Sequence, residues 1–307
     1  MSYTGDQLYG KKFEPYIEQL SQQKTSLLRS RVSFKRVANA EEAYFHQIEP
    51  LDAPTANADR HGDTPSREAV LLRRQVVPLP FEDGYLLDKP DTDRMVVDPQ
   101  NVIVQSIGSS FGRWIDDLLI TAAFADAKTG KAGGTTVAFK DESISINGTT
   151  GGVITTLGTL AVVSTPVTME LAKILAMAKI YDTASVPETD RKYWVIQPKD
   201  KAAMMAIQAI TSSDYTRGGR LDSGVIGNFH GFDFIVSNRL PLDAATSTAK
   251  RTLSWSEGGL GLAFIQDLSV SVDRRPDKKN ATGIYATIDA GAVRVEGSKV
   301  HECLTVL

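Results

Sequence analysis

The chain has 307 residues, of which 42% are hydrophobic and 23% charged, so its composition is that of a globular protein with one large or two ordinary domains. A net charge of -3 and an isoelectric point near 5.9 exclude strong long-range attraction to nucleic acid or to an anionic membrane. The single cysteine, Cys303, excludes an internal disulfide and a multi-cysteine zinc site, and we expect it to be buried. No signal peptide or membrane span is indicated, which favours a reducing cytosol as the place of synthesis.

The first 60 residues are poorly suited to forming a core of their own. The stretch EPYIEQLSQQKTSLLRSRV predicts a short amphipathic helix with apolar side chains at Ile17, Leu20, Leu27 and Leu28. The following stretch, QIEPLDAPTANADRHGD, is rich in Pro, Ala and Asp and predicts an extended loop. We therefore expect an arm that docks on its own domain or on a neighbouring chain.

Residues 63–91, DTPSREAVLLRRQVVPLPFEDGYLLDKPD, predict a long hairpin. REAVLLRRQVVPLPF supplies one strand, Asp83-Gly84 the turn, and GYLLDK the return. Pro78 and Pro80 keep the first strand out of the middle of a sheet, because proline donates no ladder hydrogen bond. The stretch has too few apolar residues to bury itself, so we expect another copy of the chain to bury it.

The strongest local pattern is a helix over residues 99–124, which would be about 39 Å long at 1.5 Å per residue. Asp98 provides its N-cap and Pro99 its first helical position. Gly108 and Gly112 each weaken such a helix by about 1 kcal/mol relative to Ala, which indicates that something packs closely there. The apolar stripe of this helix consists of Ile103, Ile107, Phe111, Ile115, Leu118 and Ala122.

The remainder of the chain predicts a mixed α+β fold. Residues 135–163 indicate β-strands, and TPVTMELAKILAMAKIYDTA predicts a second helix that begins at Thr165 and Pro166. Residues 191–270 alternate between strand and helix, with KYWVIQ and GFDFIVSNRLP as strands and PKDKAAMMAIQAIT as a helix. The tail GIYATIDAGAVRVEGSKVHECLTVL predicts two closing strands. The apolar face of the second helix consists of Leu171, Ile174, Leu175, Met177 and Ala178.

No pattern typical of an enzyme occurs in the structural context that its chemistry needs, so we predict no catalytic activity, no cofactor and no metal. ADAKTGKAGG lacks the first Gly and the final Ser or Thr of a phosphate-binding loop, and Lys128 and Lys131 predict a solvated turn instead. GGLGLAF has Phe264 where a dinucleotide fingerprint needs a small residue. The Gly-x-Ser-x-Gly pattern occurs once, as GSSFG at Gly108–Gly112, but it lies inside the predicted long helix and not at the strand-to-helix turn that a nucleophile elbow needs. Zinc-ligand spacing is missing among the four histidines, which are His46, His61, His230 and His301.

Several charged residues are candidates for contacts between chains. Arg113 and Asp117 have the spacing of an i, i+4 ion pair, which is worth about 0.3–0.5 kcal/mol when exposed. Asp116 and Asp117 should face away from the apolar stripe or flank it, where they can meet the arginines of the hairpin across an interface. Such charges set register and partner choice more than affinity. The candidate inter-subunit contact residues are Arg67, Arg73, Arg74, Arg113, Asp116 and Asp117.

The order of these parts resembles the major capsid proteins of tailed bacteriophages, of the Hong Kong 97 type. The shared order begins with an arm, an Arg-rich hairpin that starts at HGDTP, and DTDRMVVDPQ opening one long helix. A small β region, a second helix, an α/β lobe with GFDFIVSNRLP and closing strands follow. The chain is most similar to the branch that carries a DTP…RR…D…D run before the long helix. The resemblance covers residues 40–307.

The resemblance implies an N-terminal arm over residues 1–50 and an extended E-loop hairpin over 51–95. It implies a peripheral domain with a long spine helix over 96–190 and 271–307, and an α/β axial domain over 191–270. The function that it implies is that of a structural subunit, which self-assembles into hexamers and pentamers of an icosahedral shell around double-stranded DNA. Scaffolding, portal and decoration proteins would be further partners, and the virion would assemble in the host cytoplasm.

The sequence departs from the type member of that family in two respects. It lacks a long helical scaffolding segment before the arm, which predicts either a separate scaffolding protein or a sufficient short arm. Lys89 is the only lysine of the hairpin and lies near its base, so we expect a shell without covalent cross-links. Two alternatives stay open at this point: an encapsulin-like shell around a protein cargo, and an α/β enzyme of unknown type. A tail-tube component would be mostly β, and the two long helices argue against it.

Overall fold

The computed structural model describes residues 19–38, 40–51, 53–54, 67–89, 100–150, 153–157, 167–207, 228–244 and 247–307. Four α-helices lie wholly within these residues: α1 Gln100–Phe124, α2 Phe139–Glu142, α3 Leu171–Thr183 and α4 Pro198–Met205. The strands are β1 Ser33–Arg36, β2 Ala43–Ile48, β3 Leu71–Val76, β4 Leu79–Leu87, β5 Ala127–Thr129, β6 Thr135–Val137, β7 Ser145–Thr150, β8 Val153–Leu157, β9 Lys192–Ile196, β10 Asn228–Phe229, β11 Phe232–Val236, β12 Ala249–Ser256, β13 Leu260–Arg275, β14 Ala281–Arg294 and β15 Val300–Val306. This is the mixed α+β class that the sequence predicts.

The largest sheet has seven strands in the order β10-β11-β9-β12-β15-β7-β8. β9 is parallel to β11 and antiparallel to β12, and all its side chains are buried, as expected for a strand covered on both faces. Helix α3 contributes Ile174, Met177 and Tyr181 to a core that also contains Trp194 and Phe232. Since this core takes residues from both sides of residue 190, the predicted domain boundary there does not coincide with a break in the packing.

A second sheet, β2-β3-β5-β6, is antiparallel throughout. β2 pairs with β3 from Ala43 opposite Val76 to Ile48 opposite Leu71. Ala43 and Val76 are buried in a small core with Val295, whereas Ile48 and Leu71 are exposed. The sheet is therefore anchored at one end and carries apolar side chains into solvent at the other.

The third sheet has the order β1-β13-β14-β4, so β4 is an edge strand, which suits Pro80. The prediction of a turn at Asp83-Gly84 is wrong, because this dipeptide lies in the middle of β4. β3 and β4 also belong to different sheets, with Val77 and Pro78 between them. The chain satisfies the backbone of each strand with strands distant in sequence, and the two are not paired with each other.

Helix α1 confirms the predicted long helix, while Asp98 and Pro99 lie outside the described residues. The stripe keeps an i, i+4 spacing to its end, so the predicted Leu118 and Ala122 are only partly buried. The buried apolar residues of the helix are Ile107, Phe111, Ile115, Leu119, Ile120 and Ala123. The side of the helix that faces the core is therefore shifted by one position in its last turns.

The segment before β1 packs on this helix but is not itself a long helix. Residues 19–31 contain only a 3-10 turn at Arg29–Arg31, so the predicted amphipathic helix is wrong over its described part. A Cβ at Gly112 would lie 3.1 Å from the backbone nitrogen of Ser26, which confirms close packing at this glycine. A Cβ at Gly108 would meet nothing within 4 Å, so close packing there is not found.

Helix α3 confirms the predicted second helix but begins later than expected. It starts at Leu171, and the four residues before it are not helical, while Thr165 and Pro166 lie outside the described residues. Of the predicted apolar face, Ile174 and Met177 are buried, but Leu175 is 47% exposed. Tertiary packing has thus turned the helix so that a predicted core position faces outward.

The described chain divides into two compact units. The first comprises the described residues of Met1–Ser26, Pro80–Trp114 and Gln266–Asp289, and the second those of Leu27–Leu79, Ile115–Ile265 and Ala290–Leu307. The unit boundaries fall inside α1, β4, β13 and β14. No helix in the described ranges has the length and apolar character needed to cross a bilayer.

Candidate subunit interface

Arg74 of β3 is used inside its own chain. Its Nε donates to the carbonyl oxygen of Val295 at 3.1 Å, and its guanidinium forms a salt bridge with Glu142 of α2. Arg294, which is fully buried, places its Nε 3.8 Å from the second Glu142 oxygen and donates to three backbone carbonyls. Burial lowers the pKa of Arg294, and the Glu142 carboxylate opposes that shift. Arg74 therefore ties β3 to two other parts of its own unit.

Arg73, the preceding residue, points to the opposite face and is partly exposed. Its Nε donates to the carbonyl oxygen of Gly130 at 2.9 Å, and its guanidinium lies 4.4 Å from the ring centroid of Tyr44. The side chain thus lies between β2 and the β5–β6 turn, with its charge directed toward solvent. Arg67, four residues before β3, is also exposed.

An open cleft of about 470 Å³ surrounds Arg73. We call it the basic cleft; it is lined by His46, Leu71, Leu72, Arg73, Thr129, Gly130 and Lys131. Its two leucines are among the exposed large apolar side chains, and Leu71 is 75% exposed. Lys128 and Lys131 are both solvent-exposed, but only Lys131 lies in a turn as predicted, because Lys128 belongs to β5. Apolar walls and cationic groups together favour an anionic, partly apolar occupant.

The charged residues of helix α1 are paired in a way that the sequence does not predict. Arg113 donates to Oε1 of Gln22 at 2.7 Å and to the carbonyl oxygen of Gln23 at 3.1 Å. Asp117 instead forms a two-point salt bridge with Arg239. The predicted i, i+4 pair between Arg113 and Asp117 is therefore wrong, because each side chain has a partner distant in sequence.

Asp116 flanks the apolar stripe, which is one of the two predicted positions, but it is 1% exposed and therefore buried within its own chain. Its two carboxylate oxygens accept hydrogen bonds from the backbone N–H groups of Leu27 at 3.0 Å and Leu28 at 3.1 Å. Leu28 is itself buried. The carboxylate thus holds the chain that leads into β1 against the helix, as a helix cap does for unpaired amides.

Strand β4 carries a second exposed surface, which we call the acidic edge: Glu82, Asp83, Tyr85 and Leu86. All four side chains are exposed, and the Tyr285 hydroxyl donates to Glu82 at 2.7 Å. This hydrogen bond is the main cause of the raised pKa of Tyr285. Phe81 of the same strand packs against Trp114 with the two rings tilted and their centroids 4.3 Å apart, so the strand is held while its outer side chains stay in solvent.

The buried titratable groups of the described residues belong to the core. His301 accepts the N–H of Ile144 through Nδ1 at 3.1 Å, and burial lowers its pKa to about 4. Cys303 is buried as predicted, and burial raises its pKa to about 11. Lys173, a polar member of α3, donates to two backbone carbonyls. Within the described ranges no group of three or more His, Cys, Asp or Glu side chains is placed to hold a metal.

Sequence reasoning identified Arg73 but missed the surfaces around it. The dipeptide Asp83-Gly84 suggested a turn, which hid the exposed acids and apolar residues of β4. The signal was present in EDGYLLD, where two acids stand beside Tyr85 and Leu86. One wall of the cleft is formed by the β5–β6 turn. No local sequence pattern indicates that this turn lies close to β3.

A family model described as phage capsid protein matches residues 6–305. The fold is similar to the capsid structure of the cyanophage P-SCSP1u, at 14% identity and a TM-score of 0.74, with 98% of this chain and 94% of that chain covered. The capsid of the cyanophage Pam1 is similar over 99% of this chain and 98% of its own, at 14% identity and a TM-score of 0.69. No curated protein matches the sequence. The family match and these folds do not favour the encapsulin-like and enzyme alternatives.

Proposed function

The chain belongs to the phage capsid protein family and is a major capsid subunit, and from this premise we propose that its copies form the hexamers and pentamers of an icosahedral shell around double-stranded DNA. The observation that carries the proposal is the extent of the match, since the family model covers residues 6–305. A similarity of this length includes both compact units and is not confined to one lobe. The subunit acts as a structural protein of the virion, without a catalytic role.

The division of labour follows the predicted parts of the chain. We assign the arm to residues 1–50, the E-loop to 51–95, the peripheral domain to 96–190 and 271–307, and the axial domain to 191–270. The exposed apolar ends of β2 and β3 support an interface role for the region around the arm and E-loop, because exposed apolar patches mark binding surfaces. Large exposed side chains in this region are Ile48, Leu51, Val70, Leu71 and Leu72.

Contacts between subunits stay a proposal for all six candidate residues. Arg73 has the strongest support, because its charge borders the basic cleft. Arg74 and Asp116 already hold their own chain together, so their effect on assembly is through the fold of the subunit.

Further partners follow from the same role. Scaffolding, portal and decoration proteins assist the shell, which assembles in the host cytoplasm. The net charge of -3 suits an inner face that tolerates packaged DNA without binding it tightly.

Negative-stain electron microscopy of the purified chain, with size-exclusion light scattering beside it, tests the proposal. We expect closed shells or rings of five and six subunits, either from the chain alone or with a phage scaffolding protein. A monomer or dimer that never assembles under either condition would contradict it.

A further inference from the structure

We propose that the acidic edge of one subunit docks into the basic cleft of the next, which makes this pair of surfaces a head-to-tail contact between copies of the chain. The inference rests on the proposed function, because it names the surfaces through which the shell subunits meet. It differs from the earlier hypothesis, in which Asp116 or Asp117 met the arginines.

The basic cleft contains cationic side chains that form no salt bridge within the described chain. Neither Arg73 nor Lys131 forms a salt bridge with any described residue, and Lys128 lies exposed beside them. Glu42 offsets part of this charge; Tyr44 is the main cause of its lowered pKa, and Lys128 and Arg73 lower it further. Glu42 does not line the cleft, so the opening itself presents cations beside apolar walls. An occupant must therefore bring carboxylates and apolar side chains together.

The acidic edge has that composition. Glu82 and Leu86 lie on one face of β4 and Asp83 and Tyr85 on the other, so each face combines one acid with one apolar side chain; Tyr85 is 48% and Leu86 50% exposed. Asp83 forms no salt bridge within the described chain. Because β4 carries Pro80 and adjacent acids, simple strand addition along its open side is disfavoured, and docking through side chains is left. The acidic edge thus combines negative charge with apolar surface, whereas the basic cleft combines positive charge with apolar surface.

A second copy is the occupant because each chain carries one cleft and one edge. Two different, complementary patches on one chain produce a heterologous contact, which closes into a ring when the rotation permits. Rings of identical subunits are what the proposed capsomers require. Since the groups are solvent-accessible, the contact should weaken as ionic strength rises through the range in which the Debye length falls below about 10 Å.

Charge reversal in the full-length chain tests this pairing. The cleft variant is Arg73→Glu with Lys131→Glu, and the edge variant is Glu82→Lys with Asp83→Lys. Opposed like charges at an interface repel each other, so each variant alone should raise the midpoint concentration of ring formation by about tenfold or more. Size-exclusion light scattering measures that midpoint, and electron microscopy counts the subunits per ring.

The decisive samples combine the two variants. Within one chain, the four substitutions should restore assembly to near the wild-type midpoint. In a 1:1 mixture, cleft and edge variants should also restore it, because alternating subunits place opposite charges at every contact. An alternating ring closes only with an even number of subunits, so the mixture should form six-membered rings without five-membered ones.

One control variant and one folding measurement separate charge pairing from other effects. Lys140→Glu with Lys179→Glu changes the net charge by the same amount and with the same sign as the cleft variant, at exposed sites on α2 and α3, and should leave the midpoint unchanged. Urea unfolding of the cleft variant shows whether loss of the Arg73 contacts with Gly130 and Tyr44 has unfolded the sheet; a folded variant is expected.

Each outcome bears on the inference. It is overturned when the reversed variants assemble like wild type, or when neither the mixture nor the fourfold variant recovers assembly. In both cases wild-type shells would still uphold the proposed function. A wild-type chain that never assembles would contradict both the proposed function and this inference. Recovery in the fourfold variant without recovery in the mixture would place the contact within one chain and would overturn the inference.

Discussion

Replacing Asp116 by Ala tests whether one buried carboxylate holds the segment before β1 against the long helix. The carboxylate is 1% exposed and accepts the backbone N–H groups of Leu27 and Leu28 at 3.0 and 3.1 Å. Alanine removes the acceptor and leaves two donors without their partner, one at the buried Leu28 and one at the partly buried Leu27.

The expected loss follows from the cost of buried, unsatisfied donors. Each lost partner costs about 1–3 kcal/mol, so the free energy of unfolding should fall by about 2–6 kcal/mol. This is a large part of the roughly 5–15 kcal/mol by which a domain is stable. Asp116→Asn should cost less, because its amide oxygen still accepts one of the two hydrogen bonds.

The measurement is urea unfolding of the subunit followed by circular dichroism, with hydrogen exchange at the amides of Leu27 and Leu28. Asp117→Ala is the matched control: its salt bridge with Arg239 is partly exposed and should contribute about 0–1 kcal/mol. The reasoning is refuted if Asp116→Ala costs no more than Asp117→Ala, or if the two amides exchange as slowly as in the wild type.

Two further predictions concern acid stability and helix α1. Because burial lowers the pKa of His301 to about 4, below its ordinary value of 6.5, the unfolded chain takes up a proton first as the pH falls. The free energy of unfolding should therefore be highest above about pH 6.5 and fall by about 3 kcal/mol in total down to pH 4. His301→Asn keeps an acceptor for the N–H of Ile144 and should flatten this decline, as measured by urea unfolding at each pH. An equally steep decline in the variant would show that His301 is not its cause. Gly108→Ala should stabilise α1 by about 0.5–1 kcal/mol, since nothing crowds its Cβ, whereas Gly112→Ala should gain less or lose stability because its Cβ meets Ser26. Equal thermal shifts for the two variants would count against that contrast.

Much of the fold was accessible from local patterns. The cap, the proline and the apolar spacing predict α1, and the runs KYWVIQ and GFDFIVSNRLP predict β9 and β11, all of which are present. These signals work because a helical stripe or a buried strand records contacts between residues that are close in sequence. The order of the elements then led to the capsid family, which the family match confirms.

The charged residues of the candidate interface were predictable only in part. Arg73 and Arg74 are neighbours in sequence and look equivalent, but the pleat sends them to opposite faces of β3. Arg74 finds Glu142 and Val295, which are 68 and 221 residues away, and no local pattern reports such partners. Arg73 meets the β5–β6 turn and keeps its charge at the surface.

The sequence by itself determined the fold class, the long helix, the buried cysteine and the presence of an arginine-rich, half-apolar region. Only the tertiary structure decided that β3 and β4 enter different sheets, that Asp116 is buried, and that acids and cations form two separate surfaces. The physical reason is that strand pairing and buried charge depend on distant groups. Local periodicity fixes which side of an element is apolar but leaves open what that side meets.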